Sequence, residues 1–148
     1  MSLNNVGQVL ELFISVKDEN GNTVTISQDT LDLDTGGVLK DKFHAKDPGR
    51  SILLSSIESY TLAQQNNIDM PYGALGENIL MDFNPYKLQV GDRLTVGDVI
   101  VEITQECTLC KGLSKVSPKA PKLLKEHRGI FAKTVTPGTI KKGDTVYI

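Results

Sequence analysis

The amino-acid sequence predicts a mainly β fold with a few short helices, and two kinds of turn support this class. Asn20-Gly21 lies between the strand-like runs 12–16 and 23–26, which is the strongest short-range hairpin signal because both turn residues tolerate positive φ. Gly-Asp pairs beside strand-like residues recur later, at Gly91-Asp92, Gly97-Asp98 and Gly143-Asp144. The apolar and β-branched runs near these turns predict further strands at 96–104, 131–135 and 145–148.

Helix signals are confined to two short segments. Ser55 to Glu58 fits a capping box, in which a serine hydroxyl bonds a backbone amide and a glutamate three residues later bonds back. This box predicts a helix that runs to about Gln65. Because proline suits a first helical turn, a second short helix is expected between Pro121 and His127.

Length and charge restrict the function. A chain of 148 residues predicts a single domain, residues 1–148, with a core large enough to be stable without disulfides or structural metals. The formal charge of −2 argues against binding of nucleic acid, which requires a basic excess. No apolar run approaches the roughly 18 residues of a membrane span, so no membrane association is predicted. The first residues lack the pattern of a signal peptide, and two close cysteines do not make a secreted disulfide framework, so a cytoplasmic location is expected.

The only two cysteines, Cys107 and Cys110, stand three apart after the strand-like run 99–104. A thiolate is the soft nucleophile and the soft-metal ligand that proteins offer. Lys111 follows Cys110 directly, and its positive charge favours the thiolate over the thiol. Cys110 is therefore a candidate to bind a metal, to attack a persulfide donor or to form a disulfide. The alternative is that Cys110 is a small buried apolar residue.

The sequence gives weaker support for a functional role of Cys107 than for one of Cys110. A Cys-x-x-Cys pair can form a redox disulfide or half of a zinc site. The two histidines, His44 and His127, lack the paired spacing that a zinc finger needs. A thioredoxin-like role is disfavoured because that motif opens a helix in a βαβ unit, whereas this pair follows predicted strands. Cys107 is interpreted as an auxiliary neighbour of Cys110.

Several segments, in order, resemble the motifs of MOSC domains, which are named for the C-terminal part of molybdenum-cofactor sulfurases. The first combines Gly-Val-Leu-Lys-Asp-Lys-Phe-His-Ala with Gly-Arg-Ser-Ile-Leu-Leu, and the second is Gly-Ala-Leu-Gly-Glu-Asn-Ile. The segments lie at 37–54, 73–79, 88–97, 105–111 and 128–144, so the resemblance covers about residues 36–148. On this alignment Cys110 is the cysteine of the family.

The resemblance implies a closed or nearly closed β-barrel of mixed strands with a few short helices. In some relatives the family cysteine ligates the metal of the molybdopterin-type molybdenum cofactor, and the domain reduces N-hydroxylated compounds. By that resemblance the chain is a cofactor carrier or an oxidoreductase, with Cys110 at the metal and a redox partner if it is a reductase. The alternative is a metal-free sulfur carrier whose Cys110 accepts a persulfide from a desulfurase partner. The pyridoxal-phosphate-dependent domain of full sulfurases has no counterpart in these residues, so sulfur is expected to come from that partner.

A pterin cofactor carries a phosphate, which requires cationic side chains or backbone amides. The cations in the matched segments are Lys42, Arg50, Lys111 and Arg128, and a solvated surface position is the alternative for each. Four lysines after the cysteines are interpreted as a solvated loop and helix face, or alternatively as a lid over an anion. They are Lys115, Lys119, Lys122 and Lys125.

Three further residues are candidates for cofactor binding. His44 has a pKa that allows both protonation states near neutrality, so it can bond a ligand or transfer a proton, and a structural histidine is the alternative. Glu77 and Asn78 follow glycines that indicate tight turns or close approach of the backbone to a ligand. The Asn78 amide donates and accepts, which suits a pterin edge, while turn capping is the alternative for this pair.

Overall fold

The computed structural model describes residues 3–107, 120–125 and 127–148. Within these residues the strands are β1 (Asn5–Lys17), β2 (Thr23–Gln28), β3 (Thr30–Asp34), β4 (Gly37–Val38), β5 (Ile52–Ser56), β6 (Ile79–Met81), β7 (Arg93–Val96), β8 (Val99–Glu106), β9 (Ile130–Thr136), β10 (Gly138–Lys141) and β11 (Thr145–Tyr147). The helices are α1 (Ile57–Gln65) and α2 (Ala120–Leu123), and short 3-10 turns occupy Pro48–Arg50 and Pro85–Lys87.

Seven strands form a closed barrel in the order β11-β7-β8-β9-β5-β6-β1, and a pairing between β1 and β11 closes the ring. In that closing pair Asn5 lies opposite Tyr147 and Gln8 opposite Thr145. β5 and β6 run parallel, whereas the other neighbours in the barrel run antiparallel. The predicted fold class, a closed mixed β-barrel with a few helices, is therefore confirmed.

Two smaller units are attached to the barrel. β2 pairs with the second half of β1 as the predicted hairpin, from Leu12 opposite Gln28 to Lys17 opposite Thr23. Gly21 has a φ of +79°, and the Asp18 carboxylate accepts the turn amides, which explains why this sequence reverses the chain here. The strands β10, β3 and β4 form a separate three-stranded sheet.

The core has two parts because β1 is buried on both faces. Leu12 points into the barrel, among aliphatic side chains that include Val101 and Ile103 of β8. Phe13 points outward into a second cluster beneath α1, where it packs with Tyr60 and Leu80 among others. The barrel interior is thus filled with side chains, and the helix covers one outer wall.

The predicted helix is α1, which ends at Gln65 as expected, but its N-cap is Ser56 rather than Ser55. The Ser56 hydroxyl accepts the Glu58 amide at 3.1 Å. Ser55 is held in β5, opposite Leu80 of β6, so the helix starts only after that ladder ends. α2 begins one residue before the predicted position. None of the helices in the described ranges is long and apolar enough to cross a membrane.

Candidate functional site

A cleft of about 260 Å³ opens where β8 ends and β9 begins. Glu106, the last residue of β8, pairs with Ile130, the first residue of β9. The Cys107 amide then donates to the Gly129 carbonyl at 3.1 Å, which extends this pairing by one step. The described lining residues are Asn84, Tyr86, Lys87, Glu106, Cys107, Lys125, His127, Arg128, Gly129 and Ile130.

Among the described residues, the charged side chains that line the cleft are mainly positive. Lys87, Lys125 and Arg128 contribute three positive charges, and Glu106 contributes one negative charge. These cations come from three segments that are distant in sequence: a 3-10 turn, the residues after α2 and the segment before β9. Convergence of cations from separate elements favours an anionic ligand, since each can reach a different oxygen of a phosphate.

Tyr86 connects the cleft to the start of α1. Its hydroxyl accepts the Ser56 amide at 2.9 Å and lies 2.7 Å from the Ser59 hydroxyl. Ser59 in turn donates to the His127 carbonyl at 2.8 Å. The Tyr86 and His127 rings meet edge to face, with centroids 5.7 Å apart. Burial, with smaller contributions from the negative charges of Glu77 and Cys107, raises the pKa of Tyr86 to about 12 against the opposing Ser59 bond.

A second, more open groove of about 560 Å³ adjoins the cleft. The two share Tyr86, Lys87, Glu106 and Ile130. The groove adds Leu88, Gln89, Val90, Ile103 and Gln105, so the residues that it does not share with the cleft are apolar apart from two amide side chains. A ligand in the cleft therefore has a neighbouring surface of different chemistry.

Among the described residues, Arg128 is the predicted site residue that lines the cleft. Cys110 and Lys111 lie outside the described residues.

Arg50 lies over the Phe131 ring, with the guanidinium carbon 4.9 Å from the centroid. The Gly49 carbonyl beside it accepts a bond from the Gln105 side chain, which lines the adjoining groove. Arg50 is thus placed near the groove rather than in the cleft.

Lys42 and His44 lie in the segment between β4 and β5, and neither is among the described lining residues. The Lys42 ammonium donates to the Thr23 hydroxyl and lies 4.8 Å from the Phe43 ring centroid. A ring nitrogen of His44 lies 2.7 Å from an Asp34 oxygen, and this bond holds the pKa of Asp34 below its ordinary value. The predicted part of both residues in cofactor binding stays a prediction.

Asn78 is buried and bonded on every side. Its amide nitrogen donates to the Phe13 carbonyl and to an Asp41 oxygen, both at 3.2 Å. Its side-chain oxygen accepts the Leu53 amide at 3.0 Å. Its backbone pairs with the same two strands. The Asn78 carbonyl accepts the Phe13 amide, and the Asn78 amide donates to the Leu53 carbonyl, both at 2.8 Å. Asn78 thereby joins β1, β5 and the segment that contains Asp41.

Glu77 is fully buried beneath α1. One carboxylate oxygen accepts bonds from the Tyr60 hydroxyl and, at 2.7 Å, from the Ser55 hydroxyl. Burial raises the pKa of Glu77 above its ordinary value, and the two hydroxyl bonds offset part of that rise. The predicted role of Glu77 and Asn78 in cofactor binding stays a prediction, and both occupy hydrogen-bonded positions in the core.

Glu77→Gln is expected to make stability less dependent on pH. The raised pKa means that folding favours the protonated form. The stabilisation by this group is therefore complete below the ordinary pKa of 4.5 and is lost as the pH rises through the higher folded value. Above pH 4.5 the wild-type protein should lose stability relative to the variant, by at most about 1.4 kcal/mol per pH unit. Urea unfolding of both proteins from pH 4 to pH 8 measures the free energy of unfolding of the variant minus that of the wild type, and a difference that stays constant or falls with rising pH would contradict the assignment.

Sequence reasoning missed most of the cleft. The Asn84-Pro85 pair before Tyr86 and Lys87 predicts a loop, and local sequence holds no signal for the side that a loop residue faces. Among the functions weighed for His127, only a zinc ligand was considered.

Lys125 is one of the four lysines for which a lid over an anion is one interpretation, and it lines the cleft. Lys122, from the same group, is exposed on α2. Among the described residues, no three His, Cys, Asp or Glu side chains converge as a metal site.

Comparisons with known proteins agree with this architecture. The YuaD protein from Bacillus subtilis superposes with a TM-score of 0.81 and is 20% identical, over 99% of this chain and 97% of that one. YiiM from Geobacillus stearothermophilus gives 0.66 at 18% identity, over 99% and 75%. YiiM from Escherichia coli gives 0.68 at 16% identity, over 95% and 69%. At these identities the likeness concerns the fold.

The family follows from the sequence match. A search among curated proteins finds no significant relative. The family model of the MOSC domain matches residues 40–147, which is most of the chain and includes the whole of the cleft. The predicted resemblance and the observed barrel therefore lead to one conclusion: the chain belongs to the MOSC domain family.

Proposed function

We propose that the protein binds the molybdenum cofactor in the cleft at the end of β8, with Cys110 as the protein ligand of the metal. The observation that carries this proposal is the position of Cys107. Its side chain lines a cleft that also presents Lys87, Lys125 and Arg128. Three peptide units join Cys107 to Cys110, and three residues of chain span at most about 11 Å. The family cysteine is thus tethered close to a cationic cleft.

The described residues suit the anionic end of such a cofactor. Its phosphate would be held by Lys87, Lys125 and Arg128, whose charges exceed that of Glu106, the one carboxylate among the described lining residues. Tyr86 adds an aromatic side chain to the lining. When bound, the cofactor supplies a redox-active metal. The chain's own residues bind the phosphate, orient the group and limit its contact with water.

A direct test is the metal and pterin content of protein purified from a host that makes the molybdenum cofactor. We expect about one molybdenum and one pterin per chain in the wild-type protein, and loss of the metal from Cys110→Ala. Arg128→Gln should lower pterin retention about tenfold, the effect of losing one charge-assisted contact. Lys122→Gln is the matched control, because it removes a nearby exposed charge that does not line the cleft.

Two outcomes would contradict the proposal. Cys110→Ala that retains molybdenum and pterin at the wild-type level would exclude Cys110 as the ligand. A folded wild-type protein that carries neither group would exclude the cofactor itself. If the cofactor is present, reduction of N-hydroxylated compounds by the loaded protein with an electron donor distinguishes an enzyme from a carrier.

A persulfide carrier is the second candidate, and the position of Cys107, three residues before Cys110, in a cleft lined by three described cations favours it, because positive charge stabilises sulfur anions. In that reaction the Cys110 thiolate attacks the outer sulfur of a desulfurase persulfide, the S–S bond of the donor breaks and the donor thiolate leaves. Incubation with a cysteine desulfurase and cysteine should add one sulfur atom to Cys110, detected by mass spectrometry. Cys107→Ala should still gain this sulfur, and absence of any gain in the wild-type protein would exclude the carrier role.

A further inference from the structure

We propose that Tyr86 and Ser59 are positioning residues that hold Arg128 in the cleft through the His127 backbone. This inference rests on the proposed function, in which Arg128 binds the phosphate of the ligand. It assigns a role to two hydroxyl groups that the binding of an anion does not itself require. Ser59 is fully buried, and neither hydroxyl carries a charge that could bind the anion directly.

The hydrogen bonds of this pair can run in only one direction. A carbonyl oxygen accepts and cannot donate, so the single proton of Ser59 points to the His127 carbonyl. The Ser59 oxygen must then accept from Tyr86, whose own oxygen accepts the Ser56 amide. The chain therefore runs from the Ser56 amide through Tyr86 and Ser59 to His127. Each hydroxyl uses its only proton within the chain.

A second attachment fixes the segment on the other side of Arg128. The Gly129 carbonyl accepts the Cys107 amide at 3.1 Å, and the Gly129 backbone lies close against Leu53 and Leu54 of β5. Arg128 thus stands between two anchored neighbours: His127 is tied to α1 by Ser59, and Gly129 is tied to β8 by Cys107. With both ends fixed, the start of the Arg128 side chain has a defined position at the cleft.

Loss of the Tyr86 hydroxyl would loosen the first of these attachments. The Ser59 oxygen would lose its donor and the Ser56 amide would lose its acceptor, in a place where Ser59 has no access to water. Phenylalanine at position 86 would keep the ring and its contact with His127. Tyr86→Phe is therefore expected to act on the cleft through the hydroxyl alone.

The test compares Tyr86→Phe with Tyr60→Phe, which removes another buried tyrosine hydroxyl from the neighbourhood of α1 without touching the cleft. The probe is inorganic phosphate, titrated against the amide resonances of Arg128 and Gly129. We expect Arg128→Gln to weaken phosphate binding about tenfold and Tyr86→Phe about fivefold, with Tyr60→Phe within about twofold of the wild type. Equal affinity in Tyr86→Phe and the wild type would overturn the proposal.

A double variant separates positioning from a general loss of stability. If Tyr86 acts through Arg128, adding Tyr86→Phe to Arg128→Gln should weaken phosphate binding no further. Losses that multiply would show that the two side chains act independently, and the proposal would fail.

The positioning can also be measured without any ligand. Tyr86→Phe should speed hydrogen exchange of the His127 amide, which donates to the Leu124 carbonyl, by at least about fivefold more than Tyr60→Phe does. Unchanged exchange would overturn the proposal whatever the cofactor content. Faster exchange in a protein that contains no molybdenum cofactor would support the positioning role while the proposed function fails.

Discussion

Asn78→Leu is expected to lower the free energy of unfolding by about 3–5 kcal/mol, the largest single effect predicted for this chain. Leucine has a similar volume, so the loss comes from hydrogen bonds rather than from a cavity. The substitution leaves the Leu53 amide and the Phe13 carbonyl without the Asn78 side chain as their partner, while the Asp41 oxygen keeps the bond from the Ser15 amide at 2.7 Å. Each buried group that loses its partner costs about 1–3 kcal/mol.

Urea unfolding followed by circular dichroism measures this loss. Asn66→Leu is the matched control, because its amide bonds only the Leu62 carbonyl at the exposed end of α1. The control should cost less than about 1 kcal/mol. If both variants lost the same amount, Asn78 would not be the buried connection between β1 and β5 that its contacts indicate.

Gly129→Ala should cost about 2–4 kcal/mol and should also weaken the binding of anions in the cleft. Gly129 has a φ of +123°, a conformation that side chains rarely adopt. A Cβ atom there would lie 2.8 Å from a Leu53 methyl carbon and 3.2 Å from the Leu54 carbonyl oxygen. Because Leu53 is buried, relief of this contact would push the Gly129 segment away from β5 and strain its bond to Cys107.

Gly91→Ala separates the two contributions to that loss. Gly91 also has positive φ, +96°, but a Cβ atom there meets nothing within 4 Å. Its cost should reflect backbone strain alone, about 1 kcal/mol. Thermal unfolding of Gly129→Ala and Gly91→Ala gives the difference between their losses of stability. Equal losses would show that the close approach of Gly129 to β5 contributes nothing to the cost of the substitution.

The elements that could be predicted from the sequence are those whose signals are local. The turn at Asn20-Gly21 and the end of α1 at Gln65 depend on residues within a few positions of each other, and both were placed correctly. The helix cap was misplaced by one residue because β6, a distant segment, holds Ser55 in a strand. Closure of the barrel was expected from the family resemblance, since neither β1 nor β11 contains a local signal for its partner.

Residues of the candidate site could be predicted where a family motif or a run of charged residues contains them. Arg128 and Lys125 were singled out in these two ways, whereas Lys87 and Tyr86 have the same local pattern whether they face solvent or the cleft. Glu77 and Asn78 show the converse difficulty. Groups that donate and accept hydrogen bonds can hold a ligand or hold strands together, and the degree of burial that distinguishes these uses is set by tertiary contacts.

Pairing of β1 with β11 has a consequence for synthesis of the protein. The strand made first is completed by the strand made last, so the ring cannot close until almost all of the described chain has left the ribosome. Until then the segment of β1 from Asn5 to Gln8 exposes unpaired amides and carbonyls, which are open to pairing with other nascent chains. Contacts of such high sequence separation also form slowly. Chaperones that shield this edge during translation should therefore increase the yield of folded protein.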